Sequence, residues 1–400
     1  MKIVVIDTTI TGDLIGGAQM FLPGLLAGLR SRGHEVHFVA PSTPNAKLRQ
    51  RLEDSGAALH YDLWDPRSLV DDAAPILADW VNAIQPDVFV VSVSGDMGWV
   101  VLPLLDEKIA TLCVVHSFDN GFFDPISFYE PFLTRVVGVS EEICAHLAGA
   151  RGIPQQTVEW IPYGVVSDGN GPADGERAPG ELINIAYVGR LADPDKRASD
   201  LIRIVKSIER RGCSYHLRII GDGPVRAEIQ RTLHAEIAAG KVDLNGWAVS
   251  EVLLRDLRGS QISLLVSDSE GFPIAVVEAM ANGCCPIVTD INSGTRRLVS
   301  DGQNGFVVPV GDIEAFVDKI KYLTEQPDRL LDMRRAAWET GRQYSIERMV
   351  ENYETAFARA INDAREHPRT PDPDFALMPS CRSNYPLWLR RIKARLVDRR

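Results

Sequence analysis

Apolar residues along this chain come in short runs, and between the runs they return every three or four positions. In the first part the runs fall at Lys2–Asp7, His34–Ala40, Asp87–Val93, Thr111–His116 and Arg135–Val139, and each reads as a strand. Helical periods lie between them, as at Gly17–Arg32 and Asp72–Ile84. The same plan returns later, with strands expected at Ile183–Val188, Tyr215–Ile220, Val242–Asn245, Ile262–Val266, Pro286–Thr289 and Phe306–Val308. Strand and helix in alternation call for parallel sheets covered on both faces, with ligands at the carboxyl ends of the strands. Residues 166–181 lose every apolar period and are dominated by Gly and Pro, so they read as a linker between two such units. Helices at Ile313–Glu325 and Ser345–Asp363 close the pattern, and Ser345 can cap the second. The Pro-rich stretch from His367 to Cys381 reads as irregular.

One stretch, Ser267 to Val288, departs from plain core patterning. It reads as a strand end, a polar loop, a helix from Pro273 to Asn282 and another strand, with Pro273 in the first turn and Gly283 as the stop. Ile274, Val276, Val277 and Met280 make that helix apolar on every side, so Glu278 is a carboxylate in a buried setting and needs a partner. The free N–H groups of the helix start suit a diphosphate. Glu278 would lie about 7–8 Å further along the axis, where a carboxylate can accept from two ribose hydroxyls. Glu270, on the loop, could reach the group beyond the phosphates. The plainer alternative is a buried helix whose glutamate caps a neighbouring loop.

Composition narrows the field. A chain of 400 residues implies two domains of ordinary size. A net charge of −11 argues against a nucleic-acid partner and for a soluble, cytoplasmic protein. Six cysteines without C-x-x-C spacing imply reduced thiols and no metal site. The chain opens directly on a strand with no signal peptide ahead of it. No run approaches the ~18 apolar residues of a spanning helix.

Other strand ends carry candidate chemistry. Gly16-Gly17 opens the helix after the first strand, where a ligand could approach the backbone; a plain tight turn is the equal alternative. His116 ends its strand and could donate to a sugar oxygen or orient an acceptor hydroxyl, or simply bond to a neighbouring loop. The segment Ser117 to Pro131, rich in Phe, Tyr and Asp, would suit a sugar-stacking wall. Arg190 and Lys196 follow the first strand of the second half; taken alone, such a basic pair is usually a solvated surface.

The run E-x-F-x-x-x-x-x-E-A-M-A-x-G, which holds Glu270, Phe272, Glu278 and Gly283, resembles the signature of family 4 glycosyltransferases of the GT-B fold. Pro273 departs from it, since the family usually has Gly there; Gly271, Phe272 and Ile274 are left as phosphate-binding amides. Arg190 and Lys196 match the family's cations that hold the donor diphosphate, and a departing diphosphate needs such charges. His116, Gly16-Gly17 and Gly221-Asp-Gly-Pro224 match further family positions, while Thr295-Arg296-Arg297 stands where an acidic residue is usual. The resemblance implies α/β architecture, with two Rossmann-like parallel-sheet domains facing a cleft. Their expected extents are 1–165 for the acceptor domain and 182–344 for the nucleotide-sugar domain, with a crossing helix at 345–363 and a tail at 364–400.

It further implies transfer of a hexosyl unit from a nucleotide-diphosphate sugar, with retention, to a glycan or lipid-linked acceptor in bacterial cell-surface polysaccharide synthesis. The nucleotide sugar would be a co-substrate and no cofactor is expected. Asp193-Pro-Asp195 spells a manganese-binding D-x-D but does not sit directly at a strand end. A nucleotide-sugar 2-epimerase, a phosphorylase or a catalytically silent partner subunit stay open as alternatives; transfer assays without phosphate separate the first two. At the far end, Tyr385, Trp388, Leu389, Ile392 and Leu396 form a helical stripe amid six basic residues and one Asp398. That segment could lie on an anionic membrane, peripheral to its inner face, or dock on the protein.

Overall fold

The computed structural model describes residues 1–8, 17–92, 96–167, 169–172, 178–248, 250–372 and 374–375. The chain divides into two units, Met1–Pro162 with Met349 onward, and Tyr163–Arg348.

The first unit is a parallel sheet of β1 (Lys2–Ile6), β2 (Glu35–Ala40), β3 (Ala58–Tyr61), β4 (Val88–Val91), β5 (Ala110–Val115), β6 (Arg135–Gly138) and β7 (Val158–Trp160), in the order β3-β2-β1-β4-β5-β6-β7. Ile6 pairs with Val39 on one side and Val91 on the other. Every residue of β4 and β5 is buried, as a sheet covered on both faces demands. The second unit repeats the plan with β8 (Ile183–Val188), β9 (Tyr215–Ile220), β10 (Val242–Gly246), β11 (Ile262–Leu265), β12 (Cys285–Thr289) and β13 (Phe306–Val308), ordered β10-β9-β8-β11-β12-β13. Tyr187 of β8 pairs with Ile219 and Leu264. The helix Asp200–Arg210 buries Leu201, Ile204, Val205 and Ile208, one face at helical spacing, on this sheet. Both orders are doubly wound, each with a switch point where the order reverses: between β1 and β4, and between β8 and β11.

Three elements differ from the sequence-based expectation. Strands β3 and β7 were not expected. Both are sheet-edge strands, short and only partly buried, so they carry little apolar signal. The helix Pro327–Gly341 was not expected either; its sequence is mostly polar, and only Leu330, Met333, Arg334, Ala337 and Gly341 are buried. The described parts of 166–181 are tied to the second unit, by Ser167 Oγ donating to the Ala281 carbonyl (2.7 Å) and Gly180 N–H donating to Thr324 (3.0 Å).

The last helix, Ile346–Glu366, packs on the helix Gly17–Ser31 within the first unit. A Cβ on Gly28 would stand 2.3 Å from Val350 Cγ2, so glycine permits the approach. Phe21 stacks on Tyr353, and Arg32 pairs with Glu351 (2.7 Å) and Glu354 (2.9 Å). The described residues beyond it, 367–372 and 374–375, form no helix or strand, as expected for that stretch, yet are anchored. Arg369 is buried and donates to the carbonyls of Ile109 (2.6 Å), Asp106 (3.2 Å), Leu102 and Phe132 (both 3.4 Å), while Phe375 packs on Phe132. The basic stripe at 385–400 lies outside the described residues. No helix among the described residues is long and apolar enough to cross a membrane.

Candidate active site at the strand ends

In the second unit the connections of β8 and β11 leave the switch point in different directions, and the loops that follow the two strands meet. Lys196 Nζ lies 2.7 Å from Glu270 Oε1. Ser267 Oγ donates to the same Glu270 oxygen (2.8 Å), and Thr289 Oγ1 from β12 fixes Ser267 through its carbonyl (2.7 Å). The backbone stitches the two loops together: Asp268 N–H donates to the Asp195 carbonyl at 2.9 Å. Arg197 adds bonds to Asp200 (2.7 Å) and Asp268 (3.3 Å) from a left-handed backbone position, φ 46°. Thus Lys196 and Glu270, with seven helices and strands between them in the sequence, become neighbours.

Arg190 sits beside them on the same loop as Lys196, half-exposed, with one guanidinium nitrogen 2.6 Å from Asp195 Oδ2. Beneath it the buried Tyr187 hydroxyl donates to the Arg190 carbonyl (3.3 Å). Burial, then the nearby carboxylates of Glu270, Asp193 and Asp195, raise the Tyr187 pKa, so the hydroxyl keeps its proton. Asp193 and Asp195, the residues of the D-x-D spelling, are engaged within the loop: Asp193 accepts from Ser199 N–H (3.4 Å) and Asp195 from Arg190. The glycines of the turn after β9 serve a close approach of backbone to backbone. A Cβ on Gly223 would stand 2.4 Å from the Leu191 carbonyl oxygen, and one on Gly221 only 1.9 Å from that of Gly189.

The helix that follows Glu270 runs Ile274–Ala281. Pro273 precedes it as the N-cap residue rather than standing in its first turn. The Ile274 N–H turns back onto the Phe272 carbonyl (2.9 Å), so this amide, expected to face a phosphate, is occupied by a tight turn here. Gly271 and Phe272 are buried, and the Phe272 ring packs on Tyr163 and Tyr344. Glu278 is half-buried on the helix, and Gly283 stops it at φ 84°. The unexpected helix Pro327–Gly341 braces it: Arg334 Nε donates to the Gly283 carbonyl (2.7 Å), and Gly341 lets the two backbones touch. At the site edge Arg296 pairs with Asp290 (3.2 Å).

His116 belongs to the first unit, at the end of β5 beside that unit's own switch point. Its Nε2 meets Ser92 Oγ (3.2 Å), and the rings of Phe21 and Phe122 flank it at 5.1 and 6.0 Å. Burial pulls its pKa down to about 3, which leaves a neutral imidazole. Gly17 opens the helix after β1, whereas Gly16 lies outside the described residues. The segment after His116, expected as an aromatic wall, is a helix, Asn120–Tyr129, that turns Phe123 and Tyr129 into the core and leaves Phe118 exposed. Ile126 falls between those two on the same buried face, while Phe122 and Phe128 stay half-buried. Ser140 caps the helix Glu141–Gly149, a structural role.

Sequence reasoning named Arg190, Lys196 and Glu270, and Arg197 as a bulky residue that narrows the site, but missed Asp195 as a partner of Arg190 and the supporting roles of Ser267 and Tyr187. Only the adjacency of Asp195 to Lys196 could have signalled the first.

Two family models match the chain: glycosyl transferases group 1 over residues 174–343, and Glycosyltransferase Family 4 over residues 15–168. Among curated proteins, the phosphatidyl-myo-inositol mannosyltransferase of Mycolicibacterium smegmatis is 25% identical over 76% of this chain and 79% of its own length. An exopolysaccharide phosphotransferase of Streptomyces coelicolor is 23% identical over 72% of this chain, which spans only 30% of that relative. Among solved structures, Anabaena Alr3699/HepE in complex with UDP and glucose superposes with a TM-score of 0.72 at 15% identity, covering 90% of this chain and 99% of that one. This last likeness is one of fold.

Proposed function

Since this chain belongs to the family 4 glycosyltransferases of the GT-B fold, we propose that it moves a hexosyl unit from a nucleotide-diphosphate sugar to a glycan or lipid-linked acceptor, with retention at the anomeric carbon. The observation that carries the reading is the meeting of Lys196 with Glu270 in the β8–β11 switch point, with Arg190 alongside and Glu278 on the next helix. A departing nucleoside diphosphate gathers negative charge as the glycosidic bond breaks. Two cations aimed at it stabilise that charge more in the transition state than in the ground state. They do so in this reading without a metal or other cofactor. Glu278 accepts from the ribose, Glu270 from the sugar, and the neutral His116 can donate to a sugar oxygen or hold an acceptor hydroxyl.

The setting we propose is bacterial cell-surface polysaccharide assembly at the cytoplasmic face of the membrane. Its support is the mannosyltransferase relative, whose name specifies a phosphatidyl-inositol acceptor, and the basic stripe at 385–400. The phosphotransferase relative favours a second reading, transfer of a sugar phosphate. The products tell them apart. Sugar transfer releases a nucleoside diphosphate, and sugar-phosphate transfer releases a monophosphate.

The test is a thermal-shift screen of nucleotide sugars, in which a ligand at about 100 times its Kd adds ~2.7 kcal/mol of stability, followed by product analysis with the best donor. Failure of every nucleotide sugar to stabilise the protein would end the donor reading, and a monophosphate product would replace glycosyl transfer by the second one.

A further inference from the structure

The cations of the site are each already covered by a carboxylate of the same site. Arg190 is held by Asp195 at 2.6 Å, and Lys196 by Glu270 at 2.7 Å. We propose that Asp195 and Glu270 are internal counter-ions which a diphosphate displaces, so that Glu270 is released to the sugar only once the diphosphate has bound. The inference rests on the donor reading above and adds an order to it.

Three observations carry it. Glu270 is held by a bond that survives the exchange: Ser267 Oγ still donates to it after Lys196 has left, so the side chain is kept in place and gains free lone pairs. The loops themselves do not depend on the ion pairs, because the Asp268–Asp195 backbone bond and the Arg197–Asp268 contact hold them in register. The exchange is therefore one of side chains over short distances. Finally, the pairs differ in depth. The Lys196–Glu270 side chains are 22% and 14% exposed, whereas both partners of the Arg190 pair are 43% exposed. Solvent weakens the outer pair more, so Asp195 competes less than Glu270 does.

Charge sets the direction. A diphosphate brings more negative charge to the ammonium than one carboxylate can. A carboxylate freed of its ammonium finds its best partners in hydroxyl donors, which a hexose supplies. Diphosphate and sugar then favour each other's binding by the same factor. A free hexose alone meets an occupied Glu270.

Calorimetry on the full chain with UDP, GDP, ADP and dTDP as probes tests this. For the diphosphate that binds, Glu270→Gln tightens binding roughly fivefold or more, while the matching nucleoside, which has no phosphate, binds as before. Asp195→Asn gives a smaller gain, about twofold. In a Lys196→Met background Glu270→Gln gives no gain, which a merely structural change at residue 270 would not reproduce. Unchanged or weaker diphosphate binding by Glu270→Gln, or a gain that persists without Lys196, overturns the inference and leaves the donor reading standing. If none of the four diphosphates binds the wild-type chain, both fall together.

Discussion

Two cation settings, one in each unit, follow opposite rules. In the first, Arg369 is buried and is met by four backbone carbonyls at 2.6–3.4 Å. Burial lowers its pKa to about 10. In the second, Arg190 and Lys196 keep access to water and are met by carboxylate side chains. Carbonyls fixed in the backbone cannot be exchanged for a ligand; carboxylates on rotatable side chains can. The same contrast holds at the switch points. That of the first unit has the neutral His116 among Ser92, Phe21 and Phe122, whereas that of the second has ion pairs. At its switch point the first unit presents a neutral imidazole, and the second presents paired charges.

The largest expected effect breaks the charge side of this contrast. Lys196→Ala lowers kcat by about 10²-fold or more with the true donor, on the scale of a lost transition-state contact worth ~2.7–4 kcal/mol. The melting temperature barely moves, because the loops keep their backbone stitch. Arg190→Ala follows with a somewhat smaller loss, its side chain being more exposed. Steady-state kinetics beside a melting curve check both, and wild-type turnover in both variants would mean that the cations are a solvated surface after all.

Arg369→Met makes the reverse cut. It leaves buried carbonyls short of a donor and should cost about 2–3 kcal/mol of stability. Turnover per folded molecule stays as in wild type. Urea unfolding followed by activity measured well below the midpoint separates the two quantities. A loss of turnover with full stability would erase the distinction between the fixed cation and the exchangeable ones.

Much of this contrast was legible in the sequence, and the illegible part has physical causes. The strands Ile183–Val188 and Tyr215–Ile220 stand where their apolar runs put them, because inner strands of a covered sheet must be largely apolar on both faces. Edge strands escape that demand, and β3, with Ala-Leu-His-Tyr partly exposed, has no such run. Lys196 and Glu270 were found through a motif, each on its own loop. Their contact depends on the strand order β9-β8-β11, which no local pattern encodes. Arg369 was hidden for the same reason, since its four acceptors are main-chain atoms from distant loops, and a carbonyl leaves no mark on residue type.

Glu278→Gln sharpens the comparison within the second unit. A ribose contact is made alike in ground and transition state, so its loss appears as weaker nucleotide binding rather than slower chemistry. We expect about tenfold, some 1.4 kcal/mol, in the affinity for the bare nucleoside diphosphate. This is opposite in sign to the effect of Glu270→Gln. Equal affinity for wild type and Glu278→Gln in calorimetry would remove the ribose role.

The smallest effect probes the neutral side of the contrast, through pH. Burial pulls the His116 pKa down to about 3 from the ordinary imidazole value of 6.5. Above pH 6.5 the ring is neutral whether the chain is folded or not, and it contributes nothing to pH dependence. As pH falls below 6.5 the unfolded chain takes up a proton that the folded one refuses, so stability is lost progressively down to about pH 3. At the steepest this amounts to ~1.4 kcal/mol per pH unit, and about 1 kcal/mol is gone by roughly pH 5.8. His116→Gln keeps a polar group that can reach Ser92 but cannot titrate. It should therefore flatten the stability curve over this window relative to wild type, whatever its own stability at pH 7.5. Urea midpoints of both proteins from pH 7.5 to 5.5 supply the comparison. Parallel curves would mean that the imidazole is protonated in the folded chain, and the first unit would then carry charge at its switch point just as the second does.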